Sequence, residues 1–454
     1  MQIETVIAPG AAEKYLDEVR RLLAEVDQTL TAEVVGGESE NSESIREIGA
    51  QLQKLADKPD PKQFETFLAL TAKLQKFLTQ SGVSSAGALA QSLMRADSEY
   101  AQTLFSSGLE LAKKAETDNK SGATNQLSYD ETALLNFIVD QFPGNEGAEI
   151  ENSGFIPGGQ SKFTLSIDLS GVKTLPRNLI LRSDASGRFS GASVGYEYRL
   201  LKILYDRGVR VPKPLALEET GAIFGAPFML SERASGATIG HMFNLPAQDK
   251  ATLIDVARNL ATIHKIAPGE FGDSIDNAKA PTSDKFLSWL ELGQRDLAQT
   301  DRQSATFELA FSWLKEHAKM NDRAPRVLVH GDYGLNNLLI EDSRVMAILD
   351  WEFAHMGNPA YDLGYFYFMA RALGSWELFL EAYQNSGIPL PDEDQLNYSI
   401  LFGATRLGVQ CAQATSAFNA RLIGGSDAAR VVSHQYFNES ILRISEAMEL
   451  VHQS

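Results

Sequence analysis

Apolar side chains recur three and four positions apart through the first hundred residues of the chain, as is typical of amphipathic helices. One such segment carries the apolar series Tyr15, Leu16, Val19, Leu22, Leu23 and Val26. Further helices are predicted over residues 42–56, 61–80 and 87–115. Residues 1–116 contain no histidine, and their carboxylates fall on otherwise polar faces. The pattern therefore predicts an N-terminal helical bundle that serves self-association or docking of a protein partner.

The pattern changes after this region. Residues 117–127 are polar and lack apolar periodicity, which predicts a linker. A helix is expected over 129–142, followed by short runs rich in Ile, Phe, Thr and Leu between Gly and Pro, which are typical of strands. We therefore expect an α+β fold, with a small β-rich lobe over residues 128–236 and a mainly helical lobe over 237–454.

Three polar side chains in the second half of the chain stand at a spacing suited to phosphoryl transfer. Asp332 follows His330 and Gly331, Asn337 comes five residues later, and Asp350 ends the next apolar run. One Asn and one Asp suit Mg²⁺, which prefers oxygen ligands and must leave room for nucleotide phosphates. Asp332 fits the carboxylate that orients an attacking hydroxyl and accepts its proton late. His330 is expected to fix the loop rather than to act as a base.

Turn formation is the alternative explanation for these residues, since Asp, Asn and Gly are usual turn formers. Each of them alone is explained in that way. All of them together, each at the end of an apolar run, favour phosphoryl transfer.

An upstream turn and a pair of opposite charges fit the same chemistry. Gly158, Gly159 and Ser161 lie in a turn between two expected strands, where backbone N–H groups can approach a phosphate. A plain hairpin is the alternative. Arg182 ends the following strand, and Glu197 lies near the start of the next helix. In a kinase such a cation grips the nucleotide phosphates and the Glu holds the cation in place, although either residue alone is explained as a surface charge.

A hinge is predicted where an apolar strand turns polar at Glu232 and ends at Gly236. The backbone from Glu232 to Ala234 is expected to meet the edge of an adenine, and an ordinary exit from a strand is the alternative. Leu339, in the short apolar run after Asn337, completes the predicted nucleotide-binding set.

Two further polar residues are interpreted structurally. His264 lies on or near the apolar face of a predicted helix, so we expect a hydrogen-bonded core histidine. Asp362 is expected either to cap a helix or to brace the loop around Asp332, and the sequence favours neither.

Composition narrows the class of protein. A chain of 454 residues predicts two or three folding units. The formal net charge of −18 argues against nucleic acid or an anionic membrane as a partner; it is compatible with a cationic small molecule, but a solvated acidic surface explains it. The single cysteine, Cys411, rules out an internal disulfide and is expected in the core. The absence of a signal core or membrane-length apolar run predicts a cytoplasmic location, which would also supply ATP.

With these residues in place, the chain from about Tyr129 onward resembles the aminoglycoside phosphotransferase and choline kinase superfamily. Within it, the chain looks most similar to the kinase domain fused to, or encoded near, some acyl-CoA dehydrogenases. The motifs that carry the resemblance are Gly158-Gly159-x-Ser161, Arg182, Glu197-Tyr198-Arg199, His330-x-Asp332 with Asn337, Leu349 to Glu352, and Gly357 to Leu363. The resemblance implies a bilobal protein-kinase-like fold that uses Mg²⁺ and ATP, or GTP, to phosphorylate a small-molecule hydroxyl. The subgroup further implies hydroxyacyl-CoA or hydroxy-acid substrates in the breakdown of hydroxylated compounds.

Two other functions remain open at this point. In an aminoglycoside, macrolide or amino-alcohol kinase, Glu352 and the carboxylates of residues 392–394 could bind a cationic acceptor. A CoA ester would instead need cations such as Arg406, Arg421 and Arg430, which surface solvation explains equally well. A non-catalytic nucleotide-binding scaffold would be marked by loss of a phosphoryl-transfer residue, and the sequence retains them all.

Overall fold

The computed structural model describes residues 10–33, 47–52, 54–55, 64–80, 84–118, 129–156, 162–184, 192–239, 248–275, 281–300, 302–419 and 427–453. The chain divides into two compact units, which are described separately. The helical unit comprises Met1–Ser121, Pro281–Arg323 and Asp392–Ser454. The mixed unit comprises Gly122–Ala280 and Ala324–Pro391.

The α-helices that the structure describes from end to end, and the strands, are numbered in chain order. The helices are α1 Ala11–Glu33, α2 Phe64–Gln80, α3 Ser84–Asp118, α4 Glu131–Gln141, α5 Val194–Asp206, α6 Lys250–His264, α7 Thr282–Ala298, α8 Ala305–His317, α9 Ala360–Leu373, α10 Trp376–Gln384, α11 Glu393–Asn419 and α12 Asp427–Gln453. The strands are β1 Glu149–Phe155, β2 Phe163–Ser170, β3 Asn178–Ser183, β4 Pro214–Glu218, β5 Phe228–Glu232, β6 Val327–Val329, β7 Leu338–Glu341, β8 Arg344–Ile348 and β9 His355–Gly357.

The helical unit joins helices from both ends and the middle of the chain. Helix α3 packs against α1 and α12, and α2 packs against α8. Tyr15 and Tyr100 stack with ring centroids 5.0 Å apart. The buried carboxylate of Asp97 on α3 accepts the backbone N–H of Thr306 at 3.0 Å and the hydroxyls of Ser304 and Thr306. Asp97 therefore satisfies the free N–H groups that begin α8.

The N-terminal helices follow the predicted pattern closely. The helix expected over 61–80 begins at Phe64, and the one expected over 87–115 runs from Ser84 to Asp118. Most of the predicted linker lies in residues 119–128, outside the described residues.

The mixed unit contains an antiparallel sheet of five strands in the order β1-β2-β3-β5-β4. Side chains alternate between buried and half-buried along β2, because successive residues of a strand point to opposite faces. On one face, Leu134 and Ile138 of α4 join the apolar cluster that includes Leu165 and Leu181. Asp130 caps α4 by accepting the N–H of Ala133 at 3.0 Å. The expected helix and β-rich region are thus both present.

Two small strand pairs position the loops that carry the motif residues. Strand β6 pairs with β9, and β7 pairs with β8. Residues 330–337, the HGD loop, connect β6 to β7, while residues 349–354, the Asp350 loop, connect β8 to β9. The turn between β7 and β8 places Asp342 and Ser343 at φ values of 49° and 60°, as a tight hairpin requires. The two strand pairs therefore fix the positions at which each loop begins and ends.

Two general expectations can be checked on the described part of the chain. Cys411 is buried in α11, and burial raises the pKa of its thiol to about 12, so it is an inert core residue. None of the described helices combines the length and apolar content needed to cross a bilayer.

Candidate active site

His330 fixes the HGD loop through both ring nitrogens. Its Nε2 lies 2.9 Å from the carbonyl oxygen of Leu349, and its Nδ1 lies 3.2 Å from the backbone nitrogen of Asp332. Since the backbone N–H can only donate, Nδ1 accepts and Nε2 carries the proton. The buried ring is therefore engaged on both sides, as a loop-fixing residue would be.

Asn337 orients the carboxylate of Asp332. The side-chain nitrogen of Asn337 donates to Oδ2 of Asp332 at 2.8 Å and to its backbone carbonyl at 2.9 Å. Asn337 is buried, whereas Asp332 is half-buried. Because the nitrogen is used in this way, the amide oxygen of Asn337 is available to accept a donor or a cation.

Asp350 has a strained backbone that its neighbours hold in place. Its φ of 63° lies in the left-handed region, which costs a non-glycine residue about 1 kcal/mol or more. The preceding residue is tied on both sides: the N–H of Leu349 donates to the carbonyl of Asn337 at 2.8 Å, and its carbonyl accepts from His330. The Asp350 loop is therefore fixed to the HGD loop.

Gly331 permits the close approach of these two loops. It has a φ of 84°, and a Cβ atom at this position would lie 2.5 Å from the carbonyl oxygen of Phe353. No side chain fits there without moving the backbone.

Arg182 on β3 joins the sheet to the Asp350 loop. Its guanidinium donates to Oε1 of Glu197 at 2.8 Å and to Oδ1 of Asp350 at 2.9 Å. Burial lowers the pKa of Arg182, but the charges of Glu197 and Asp350 outweigh it and the pKa is raised. Burial raises the pKa of Glu197, which is 1% exposed, and the charge of Arg182 offsets only part of this. The planar guanidinium can hold two carboxylates at once, which a lysine cannot do in the same geometry.

Asp362 braces the HGD loop by accepting hydrogen bonds from its backbone. Its Oδ2 accepts the backbone N–H of His330 at 2.7 Å, and its Oδ1 accepts that of Gly331 at 2.9 Å. His264 on α6 places Nε2 3.2 Å from Oδ2 of Asp362 and Nδ1 2.7 Å from the hydroxyl of Tyr383. Of the two roles that the sequence left open for Asp362, the bracing role is therefore present, and His264 is a hydrogen-bonded core histidine.

Asp362→Asn is expected to destabilise the protein in a pH-dependent way. Burial alone would raise the pKa of Asp362, but the hydrogen bond from His264, the nearby imidazoles and the N–H of His330 lower it below its ordinary value. A depressed pKa contributes stability that is present above the unfolded pKa of about 3.9 and is lost as pH falls through the folded value. We expect a loss of about 3–5 kcal/mol at neutral pH, because one member of a buried charged cluster is removed.

Urea unfolding at several pH values measures this effect. The difference in free energy of unfolding between Asp362→Asn and the wild-type protein should decrease below about pH 4, where the wild-type carboxyl also becomes neutral. The exposed Asp140 of α4 offers a matched control, Asp140→Asn, with no such difference. A difference that stays constant from neutral to acid pH would contradict the assignment.

The predicted hinge lies beside the strand that follows Asn337. Glu232 ends β5 with an exposed side chain, and Ala234 follows it. Three residues later, Ala237 exchanges two backbone hydrogen bonds with Ile340 of β7, at 2.8 and 3.1 Å. The half-buried Leu339 precedes Ile340. The structure thus brings the hinge segment and the Leu339 strand together.

The predicted glycine turn cannot be located in the same way. Gly158, Gly159 and Ser161 lie outside the described residues, so their role remains a prediction.

Sequence reasoning missed three residues that support the site. Tyr333 is buried and donates its hydroxyl to the carbonyl of Val256 on α6 at 2.9 Å. Lys162 lies 2.9 Å from Asp184 in a nearly buried ion pair. A charged residue directly after the Gly-Gly-x-Ser turn was the available signal for Lys162, whereas a tyrosine in a loop gave none for Tyr333.

The donor set fits a hard divalent cation. Among the residues that the structure describes, no group of three or more His, Cys, Asp or Glu side chains is placed to hold a metal ion. The amide oxygen of Asn337 and the carboxylate of Asp350 are oxygen donors of the kind that Mg²⁺ prefers.

Comparison with known proteins gives matches over part of the chain. The sequence profile of the phosphotransferase enzyme family, APH, matches residues 171–397. Acyl-CoA dehydrogenase family member 11 of Rattus norvegicus is 29% identical over 211 residues, which cover 43% of this chain and 26% of that protein. Acyl-CoA dehydrogenase family member 10 of Mus musculus is 32% identical over 223 residues, which cover 46% of this chain and 19% of that protein. The chain thus spans about a quarter or less of the length of these relatives.

A solved structure shows the same fold. It is the crystal structure of a Ralstonia eutropha protein that is proposed to be an aminoglycoside phosphotransferase, with a TM-score of 0.56 and 20% sequence identity. The match covers 71% of this chain and 99% of that one. It confirms the predicted α+β, protein-kinase-like fold, to which this chain adds N-terminal helices.

Proposed function

Because a family profile matches half of its length, the chain belongs to the phosphotransferase enzyme family, and we propose that it transfers the γ-phosphate of ATP or GTP to a small-molecule hydroxyl. One observation carries the proposal. A continuous series of hydrogen bonds runs from Asp332 through Asn337 and Leu349 to the Asp350 loop, and from Asp350 through Arg182 to Glu197. Base, metal ligands and phosphate-binding cation are thus linked in one network.

Asp332 is assigned the role of the carboxylate that receives the acceptor hydroxyl. The hydroxyl oxygen forms a bond to the γ-phosphorus while the bond from that phosphorus to the β,γ-bridging oxygen breaks, and the nucleoside diphosphate leaves. The hydroxyl proton passes to Asp332 late in the reaction, since the loose transition state requires little prior deprotonation. The hydrogen bond from Asn337 supports this role, because it keeps the carboxylate in one orientation.

Asn337, Asp350 and Arg182 are assigned to the nucleotide. Bound Mg²⁺ would neutralise part of the charge of the nucleotide phosphates. Asn337 and Asp350 supply its protein ligands, and Arg182 supplies a fixed positive charge held by Glu197. The hinge at Glu232 to Ala234, together with Leu339, is assigned to the adenine.

We assign the acceptor to hydroxylated acyl-CoA or hydroxy-acid compounds. The similarity to acyl-CoA dehydrogenase family members 10 and 11 supports this class. The chemistry is also reasonable, because phosphate is a far better leaving group than hydroxide and phosphorylation would prepare the hydroxyl for elimination.

One of the arginines considered as a binding residue for a CoA ester is corrected by the structure. Arg406 is 2% exposed within α11, so it is not the surface cation that the sequence allowed, because this part of α11 is buried. Arg421 and the side chain of Arg430 lie outside what the structure describes. Among the acidic residues weighed for a cationic acceptor, Asp392 caps the start of α11 by accepting the N–H of Gln395 at 2.9 Å. That carboxylate is explained without a ligand.

Incubation with a panel of acceptors tests the proposal. Purified protein with Mg²⁺ and ATP, or GTP, would be mixed with hydroxyacyl-CoAs, hydroxy acids, amino alcohols, aminoglycosides and macrolides, and the products read by mass spectrometry. We expect a phosphorylated hydroxyacyl-CoA or hydroxy acid. The Asp332→Asn variant, treated identically, controls for a contaminating kinase.

The other outcomes are equally informative. Phosphorylation of an aminoglycoside, macrolide or amino alcohol alone would overturn the acceptor assignment and leave the phosphoryl-transfer assignment standing. Nucleotide binding with no phosphorylated product would instead favour a non-catalytic scaffold.

A further inference from the structure

Lys162 forms an ion pair that the active-site network does not explain. Its side chain is 4% exposed, directly before β2, and its Nζ lies 2.9 Å from Oδ1 of Asp184 and 2.6 Å from the carbonyl oxygen of Ala192. Taking an ammonium group out of water is costly, and replacing such buried pairs with apolar side chains is often neutral or stabilising. Stability alone therefore gives little reason for a lysine here.

Asp184 connects this pair to the helix that carries Glu197. Its two carboxylate oxygens accept the backbone N–H of Val194, the first residue of α5, at 3.1 and 3.3 Å. Asp184 directly follows β3, two residues after Arg182. Arg182 thus contacts Glu197 of α5, and Asp184 contacts the start of the same helix.

The start of α5 and the residues just before it also hold the Asp350 loop. The N–H of Ala192 donates to the carbonyl of Glu352 at 3.3 Å, and the hydroxyl of Tyr196 donates to the carbonyl of Ala354 at 3.0 Å. The carbonyl of Ala192 therefore accepts a hydrogen bond from Lys162, and the N–H of Ala192 donates one to the Asp350 loop. A shift of this turn would move both Glu197 and the loop that carries the predicted metal ligand.

We propose that Lys162 is a positioning residue of the nucleotide site: paired with Asp184, it fixes the first turn of α5 and thereby sets Glu197, Arg182 and the Asp350 loop for a Mg²⁺–nucleotide. This inference rests on the proposed function. Electrostatics agree with it, since Lys162 is close enough to lower the pKa of Glu197, although burial and Arg182 act more strongly on that carboxyl.

Substitution of Lys162 provides the test, read first by calorimetry of Mg²⁺ with a non-hydrolysable ATP analogue. Lys162→Met is expected to weaken binding about 10- to 100-fold, as loss of a residue that orients a metal-site ligand typically does. Lys162→Arg keeps the charge and should restore most of the affinity. In steady-state assays the KM for nucleotide should rise more than kcat falls, and the KM for the acceptor should not change.

A double-mutant cycle distinguishes positioning from simple destabilisation. If the pair acts as a unit, Lys162→Met combined with Asp184→Asn should weaken binding little more than either change alone. The double variant removes both charges of the pair, so neither is left without its partner if a single variant misfolds. Fully additive effects would overturn the pairing.

Hydrogen exchange of the ligand-free protein gives an independent readout. Amides 192–198 should exchange faster in Lys162→Met and at the wild-type rate in Lys202→Met, which changes an exposed lysine of the same helix. Unchanged exchange together with unchanged nucleotide affinity would overturn the inference. If the wild-type protein bound neither ATP nor GTP, the proposed function would fail, and exchange of α5 alone would decide whether Lys162 positions that helix.

Discussion

Replacing Asp332 with Asn is expected to lower kcat by about two to four orders of magnitude, the range that positioned acid–base groups contribute. The variant removes the carboxylate that orients the hydroxyl and receives its proton. It leaves Arg182, Asp350 and the contact of His330 with Leu349 in place. Binding of the Mg²⁺–nucleotide should therefore stay close to that of the wild-type protein.

Initial rates with the acceptor found in the panel, together with calorimetry of nucleotide binding, measure these two quantities separately. Asp342→Asn is a matched control, because Asp342 is an exposed residue of the β7–β8 turn on the same segment. Asn tolerates its left-handed conformation, so this change should leave both quantities unaltered. Wild-type turnover by Asp332→Asn would remove Asp332 from the mechanism.

Replacing Asp350 with Asn is expected to abolish measurable turnover and, in contrast to the change at Asp332, to weaken binding of the Mg²⁺–nucleotide. The substitution removes the only carboxylate assigned to the cation and also one of the two charged partners of Arg182. Loss of one preorganised electrostatic contact costs about 10²–10³ in kcat. Loss of a ligand that also anchors the phosphate-binding cation should cost more.

Backbone strain does not complicate this comparison, since Asn also tolerates the left-handed conformation of Asp350. Electron paramagnetic resonance of Mn²⁺ with ATP reports the occupancy of the metal site without any turnover. We expect a clear loss of bound Mn²⁺ in Asp350→Asn and little change in Asp332→Asn. Equal Mn²⁺ occupancy in the two variants would argue that Asp350 is not a ligand.

The sequence predicted the grouping of Asp332, Asn337 and Asp350 because these three residues lie close together along the chain. Five positions separate Asp332 from Asn337, and one strand pair separates Asn337 from Asp350. Local backbone geometry therefore determines most of their arrangement. Arg182 lies far upstream, and only the order of elements required by a kinase suggested that it would meet Asp350.

The supporting residues escaped prediction for a physical reason. The bond from Tyr333 to α6 and the pair of Lys162 with Asp184 depend on packing between elements, and no periodicity encodes a single tertiary hydrogen bond. Asp362 illustrates the same limit. Its position in the first turn of α9 fits capping and bracing equally well, and only the folded chain directs both oxygens to the backbone of the HGD loop.

The N-terminal helices show what hydrophobic patterning leaves undetermined. The apolar spacing predicted where α2 and α3 lie to within a few residues. This spacing indicated that each helix has an apolar face that must be buried, but it did not indicate which other helix covers that face. In the structure, partners for those faces include α8 and α12, hundreds of positions away in the sequence.

The cap that Asp97 provides for α8 has a consequence for how the chain acquires its structure. Some two hundred residues separate this carboxylate from Thr306, and α12, which packs on α3, follows it by more than three hundred residues. During synthesis the faces of α2 and α3 that pack on α8 and α12 therefore stay uncovered until those later helices have been made. The five-stranded sheet, by contrast, is complete within the continuous stretch of residues 149–232. Because nonlocal contacts form slowly and expose the chain to aggregation, we expect the helical unit to fold more slowly than the sheet and to be more prone to aggregation while it does so.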